Sequence, residues 1–208
     1  MIPLVSRSSG LQVLCLGAHP DDIEIGCGAT LLGLGQRHDV RLVLLTGTEE
    51  RQAEARAAAA AFAPGSTVDL FDLPDGHLPA HWNAVKRILE SVAGCCRPNI
   101  IFAPQPTDSH QDHRLLAELV PTVWRDALIL GYEIPKWDGD LGRLTHYVPA
   151  APETARRKVE LLTKSYPSQV ARDWWDDETF LGLMRLRGIE CRSRYAEAFT
   201  VGKAVLSF

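Results

Sequence analysis

The sequence predicts one α/β domain over residues 1–208, Rossmann-like, with a mostly parallel sheet and helices on both faces. Three observations predict it. Short apolar runs alternate with segments of helical character from Leu11 to Glu133, the pattern of repeated βα units. The chain length suits one domain with a sizeable core. Two blocks that combine His with Asp each follow an apolar run directly: Ala18-His19-Pro20-Asp21-Asp22 and His110-Gln111-Asp112-His113. Both therefore fall at the carboxyl ends of strands, where open α/β sheets bind their ligands.

Leu11 to Gly17 reads as the first buried strand. Gly26-Cys27-Gly28 leads into a helix over Ala29 to Gln36, and Asp39 to Leu45 is the second strand. A second, alanine-rich helix opens at Thr48-Glu49-Glu50-Arg51, where acidic residues suit the helix dipole, and ends at Pro64-Gly65. Val68 to Leu73 is a third strand, followed by the loop Pro74-Asp75-Gly76. Val85, Ile88, Leu89 and Val92 mark one face of a helix over Ala84 to Ala93. Ile100 to Ala103 is the fourth strand, His113 to about Arg125 a helix, and Ala127 to Glu133 a further strand. The last third is less regular. Glu153 to Lys164 and Glu178 to Arg187 read as helices, Gly139 to Arg143 as a loop, and Tyr195 to Val205 as a closing strand.

Hydrophobic content of 46% and charged content of 23% are those of an ordinary globular domain. A net charge of −4 argues against nucleic acid and against an anionic membrane surface as partner. The cysteines Cys15, Cys27, Cys95, Cys96 and Cys191 are odd in number and form no C-x-x-C pair, which reads as a reduced protein and not a disulfide framework. Met1 to Gly10 holds no long apolar core, so no membrane insertion is expected and the expected location is cytoplasmic.

His19, Asp22 and His113 are the right types to hold a catalytic divalent metal, since zinc accepts imidazole and carboxylate and keeps a position open for water. Such an ion lowers the pKa of its water and polarises an acyl carbonyl. Asp21 points away from Asp22 and is free to act as general base. His110 and Asp112 form a second pair, an imidazole held by a carboxylate, suited to stabilising an oxyanion or protonating a leaving amine. Together these make a hydrolase set for an amide. Each block alone also fits a turn with a helix cap. Gly26-x-Gly28 lacks the rest of a dinucleotide fingerprint, and neither a P-loop nor a G-x-S-x-G elbow occurs. His38, His77, His81 and His146 read as surface or loop residues, with His77 close to the crevice, and Trp174-Trp175 as packing or an aromatic wall.

Ala18 to Gly28 and Asp108 to His113 resemble the two signature motifs of the PIG-L/LmbE-like de-N-acetylases. Thr46 to Arg51, Tyr166 to Gln169 and Arg194 to Phe199 resemble further blocks of that family, in the same order. The resemblance implies a Rossmann-like sheet and removal of acetyl from N-acetylglucosamine-type sugars. It implies His19, Asp22 and His113 as zinc ligands, Asp21 as general base, and His110 as a helper oriented by Asp112. Arg51 and Tyr195 align with residues that meet substrate. A His₂Asp set also suits Fe²⁺. The implied partner is a small N-acetylated sugar, and related folds that form rings make a homo-oligomer compatible. Where the family often has Arg-His-Pro-Asp-His, this chain has Ser109-His110-Gln111-Asp112-His113, a departure that bears on substrate. Tyr132 to Asp140 is expected to form a loop near the crevice. The rival readings are a sugar- or nucleotide-binding module without chemistry, and a zinc esterase for O-acyl substrates.

Overall fold

The computed structural model describes residues 10–205. Among these, seven strands form one sheet: β1 (Gln12–Gly17), β2 (Asp39–Thr46), β3 (Thr67–Leu73), β4 (Ile100–Pro104), β5 (Leu128–Tyr132), β6 (His146–Ala150) and β7 (Tyr195–Thr200). The α-helices of the same residues are α1 (Asp22–Leu34), α2 (Glu49–Phe62), α3 (Trp82–Cys95), α4 (Gln111–Val123), α5 (Pro152–Ser165) and α6 (Asp177–Glu190). The strand order is β3-β2-β1-β4-β5-β7-β6. The first five strands run parallel, while β7 is antiparallel to both β5 and β6. The Rossmann-like, mostly parallel sheet is therefore as expected. The expectation for Met1 to Ser9 lies outside the described residues.

Strand alternation builds a core on each face. Val13 and Cys15 of β1 join Val40, Leu42, Leu44 and Phe102 in the layer under α1, α2 and α5. Leu14 and Leu16 join Val43, Leu45, Ile101 and Ala103 in the layer under α3 and α4. The chain winds outward from β1 through β2 to β3, then returns to place β4 on the other side of β1. The switch point lies between β1 and β4, so their carboxyl-terminal loops open side by side.

Three elements differ from expectation, the closing strand β7 by ending at Thr200 and not at Val205. Helix α1 begins at Asp22, four residues before Gly26, so the glycines lie inside it. They serve packing: a Cβ on Gly26 would lie 2.3 Å from Tyr132 Cδ2, and one on Gly28 would lie 2.8 Å from Phe62 Cε1. Helical geometry breaks at Cys27 (φ −141°, ψ 21°). Strand β6 is not predicted by the sequence pattern, because Pro149 interrupts it. The structure places it at the sheet edge, where a missing N–H costs nothing. Among the described residues no helix is long and apolar enough to cross a membrane.

Candidate metal and catalytic site

The loop after β1 is a tight turn in which the Asp22 carboxylate folds back to accept the backbone N–H of His19 at 2.8 Å. This closure puts Asp21 at φ 105°, a conformation that costs a non-glycine residue about 1–3 kcal/mol. The loop after β2 lies against this turn. Gly47 (φ 133°) approaches Pro20 so closely that a Cβ would stand 2.8 Å from Pro20 Cγ. Thr46 Oγ1 donates to the Ala18 carbonyl at 2.8 Å, tying the two loops together.

The second block starts α4. His110 is its N-cap, and its Nδ1 accepts the Asp112 N–H at 3.3 Å. That bond leaves the proton on Nε2 in the neutral ring. Burial, with His19 and His113 nearby, lowers the His110 pKa. The imidazole is thus oriented by the helix backbone, not by the Asp112 carboxylate as the sequence suggested. The reason is helical geometry, since residues two apart do not face each other. Asp112 instead accepts the N–H groups of Gly76 (2.8 Å) and Leu78 (3.0 Å) and lies 3.1 Å from His19 Nε2.

His19 and His113, 94 residues apart in sequence, meet with Nδ1 and Nε2 separated by 3.1 Å. Asp22 lies against both, with Oδ2 3.5 Å from His19 Nδ1 and Oδ1 3.2 Å from His113 Nε2. The opposite nitrogen of each ring faces its own carboxylate. His19 Nε2 lies 3.1 Å from Asp112 Oδ2 and 3.0 Å from Asp75 Oδ1, and His113 Nδ1 lies 2.9 Å from Asp108 Oδ2. Carboxylates at these outer nitrogens favour ring protons there, which would leave the inner nitrogens to face a cation beside Asp22. Tetrahedral ligands at about 2.0–2.1 Å from an ion stand about 3.3 Å apart, the spacing of the two imidazole nitrogens, and Asp22 meets each of them with a different oxygen. His110 adds a third imidazole within ligand range of the other two.

The charges agree with this. Burial opposes a charged His113, yet Asp22 and Asp108 push its pKa up to about 9, and Asp22 above all pushes His19 up likewise. Burial would raise Asp22, but the two imidazoles hold it well below the usual carboxylate range. The cluster attracts positive charge. Burial pushes Asp21 up to about 7 against the pull of Arg51, and a cation beside it would bring it down.

These groups line a cavity of about 730 Å³ above the β1/β4 switch point. His19, Asp21, Asp22, Arg51, His110 and His113 all border it. Asp112 is buried and does not border it. Tyr195 is not brought here. On β7 it shares a face with Glu197 and Phe199 and packs with Ala29, Ala155 and Met184 in a separate cluster. Arg51 reaches the cavity wall, but its Nη2 is engaged by Asp21 Oδ2 (2.6 Å) and the Pro20 carbonyl. The expected loop is present, with Ile134 and Lys136 at the wall, and so is Trp174 of the aromatic pair. His77 is exposed and does not border the cavity. Asp75 and Asp108 have no role in the sequence reading. Asp108 shares the motif of His113, which is a readable signal, whereas nothing local marks Asp75 as a neighbour of His19.

The family model described as "PIG-L: GlcNAc-PI de-N-acetylase" matches residues 14–124. A protein of Escherichia coli K12, "Uncharacterized deacetylase YaiS", is 31% identical over 146 residues, covering 64% of this chain and 78% of its own. The structure resembles N,N'-diacetylchitobiose deacetylase from Pyrococcus horikoshii at a TM-score of 0.70 and 21% identity, over 91% of this chain and 83% of that one. It also resembles GalB, the 4-carboxy-2-hydroxymuconate hydratase of Pseudomonas putida KT2440, at a TM-score of 0.76 and 15% identity, over 95% and 98% of the two chains. At these identities the two structural likenesses concern the fold.

Proposed function

The chain belongs to the PIG-L family, and from that premise we propose that it is a metal-dependent hydrolase that removes an acetyl group from the amide nitrogen of an N-acetylated amino sugar or glycoconjugate. One observation carries the reading: two imidazoles, each backed by a carboxylate, turn their remaining nitrogens toward Asp22 within 3.1–3.5 Å of one another. At that distance the two nitrogens share either a proton, as N–H···N, or a cation held together with Asp22. The hydratase likeness makes the argument depend on these side chains, because the same fold carries a different reaction there. The names of YaiS and the chitobiose deacetylase support the acetyl group and the amino sugar.

His19, Asp22 and His113 would hold the metal, Zn²⁺ by the nitrogen and oxygen donor set, with Fe²⁺ also accommodated. Bound there, the ion supplies Lewis acidity toward an acyl oxygen and acidity to water. Asp21, at the cavity wall beside Asp22, takes a proton from the attacking water. His110 presents its Nε2 proton, either to the oxyanion that develops on the acyl group or to the departing amine. Its capped Nδ1 keeps that tautomer in place. Lys136 and Trp174 shape the wall that receives the rest of the substrate.

The test is acetate release from a panel of N-acetylated amino sugars and their glycosides, with chelated and zinc-restored protein in parallel. Metal-dependent release from any member supports the reading. Faster release from matched O-acetyl compounds would make the protein an esterase. No release together with no stoichiometric metal would leave a binding module.

A further inference from the structure

Arg51 was expected to meet substrate, but its guanidinium is committed elsewhere. Nη2 donates to Asp21 Oδ2 and to the Pro20 carbonyl. Nη1 donates to Glu54 Oε2 at 2.5 Å and to Ser168 Oγ at 3.2 Å. The Tyr166 ring covers one side, with its centroid 5.2 Å from Arg51 Cζ. Glu54 is the hub of this arrangement. It lies one turn along α2 from Arg51 and is buried. Its Oε1 accepts the Ser168 N–H at 2.8 Å, and its Oε2 accepts the Ser168 hydroxyl at 2.8 Å as well as Arg51. Both oxygens are thereby used, and Glu54 cannot turn without breaking three bonds.

We infer that Glu54, clamped by Ser168, is a positioning residue that commits Arg51 to Asp21 and so fixes the direction of the general base. The inference rests on the hydrolase reading, in which Asp21 is that base. Its physical need is clear from the turn: Asp21 has positive φ and no side-chain cap on α1, so its own backbone does little to choose a rotamer. The Arg51 fork grips the Pro20 carbonyl and the Asp21 carboxylate together, which pins both the peptide and the side chain. Glu54 in turn holds the other arm of the guanidinium through a single charge-assisted bond from Nη1 to Oε2. Displacing a reacting group by about 1 Å costs on the order of 100-fold in rate. Arg172 borders the same cavity, with its Nε donating to Gln169 Oε1 at 2.7 Å and its guanidinium over the Trp137 ring.

The test is Glu54→Gln, which keeps size and shape but sets an NH₂ against either Arg51 or the Ser168 N–H and so breaks the clamp, with Ser168→Ala as a milder second variant. With metal content unchanged, Glu54→Gln should lower kcat about 10- to 100-fold and leave KM within about twofold. Ser168→Ala should lower kcat several-fold at unchanged KM, and it serves alone if Glu54→Gln does not fold. In an Arg51→Lys background, Glu54→Gln should cost less than about twofold more, because the two act as one unit. A rise in KM at unchanged kcat would overturn the inference, since Arg51 would then be a substrate contact. An undiminished loss in the Arg51→Lys background would overturn it too. If metal-loaded wild-type protein releases no acetate from the whole panel, the hydrolase reading fails separately. A crystal structure of Glu54→Gln then decides the positioning: Arg51 moved off Asp21 supports it, and Arg51 still on Asp21 refutes it.

Discussion

Replacing Lys158 by Met should destabilise the protein by about 3–5 kcal/mol, the cost of breaking a buried ion pair from one side. The break of α1 at Cys27 explains why the pair exists. In a regular helix the Ala29 N–H would bond to the Ile25 carbonyl. Here the Ala29 N–H goes to Glu197 Oε1 at 2.9 Å, Glu197 Oε1 takes Lys158 Nζ at 2.6 Å, and Lys158 Nζ also donates to the Ile25 carbonyl at 2.5 Å. The ion pair bridges the two groups that the break separates. Glu197 Oε2 also accepts the N–H (2.7 Å) and hydroxyl (2.6 Å) of Thr30, capping the second half of the helix. Both charged side chains are only 3% exposed, so water cannot replace either partner. Loss of the ammonium leaves a buried carboxylate without its counter-charge and a buried carbonyl without a donor. For a chain of this size the loss corresponds to a fall in Tm of roughly 6–20 °C, at about 2–4 °C per kcal/mol. Urea unfolding followed by circular dichroism measures it. The double variant Lys158→Met/Glu197→Gln should lose less than Lys158→Met alone, because the glutamine removes the stranded charge and still accepts an N–H. A single-variant loss below about 1 kcal/mol, or a double variant no better than the single, would refute the bridging role.

Asp21→Asn should keep the metal and lose about 10²- to 10⁴-fold in kcat, whereas His19→Ala should lose both, as read by metal analysis beside acetate release. Tyr195→Phe should leave kcat and KM close to those of wild type, because the ring packs in a cluster apart from the cavity; a loss of an order of magnitude would return Tyr195 to the site. Gly26→Ala should cost about 1–3 kcal/mol in urea unfolding, since its new methyl meets the fully buried Tyr132 ring at 2.3 Å. Chelation should abolish acetate release, and restored Zn²⁺ should return it without any change in far-ultraviolet dichroism, because the donors sit on elements that the two hydrophobic layers already hold.

What could be read from sequence was whatever local chemistry determines. The buried strands announce themselves as apolar runs, and the order of βα units dictates that β1 and β4 are neighbours only once the chain has turned back. His19, Asp22 and His113 stand out because their types are rare together at strand ends. The errors have local physical causes as well. The sequence starts the first helix after Gly26-Cys27-Gly28, seven residues late; the glycines do allow close approach, as they read, but the partners are Tyr132 and Phe62, which no window of sequence contains. Strand β6 is hidden by Pro149, a residue that only an edge position tolerates. Alignment with a family tyrosine puts Tyr195 near the site, whereas the pleat of β7 turns it toward α1 and α5.

The pairing of Asp112 with His110 shows where sequence adjacency misleads. Two residues apart in a loop can face each other, but at the start of a helix they cannot, and α4 starts at Gln111. Once the helix is in place, His110 is oriented by a backbone N–H and Asp112 is released to back His19 and to hold the loop at Gly76 and Leu78. One helix start thereby serves three purposes: it caps itself with an imidazole, fixes that imidazole's tautomer in the neutral ring, and sends a carboxylate to His19 Nε2. The same scaffold accompanies a hydratase elsewhere, so the chemistry of this chain is to be sought in its side chains and not in its fold, beginning with the two imidazoles that Asp108 and Asp112 face.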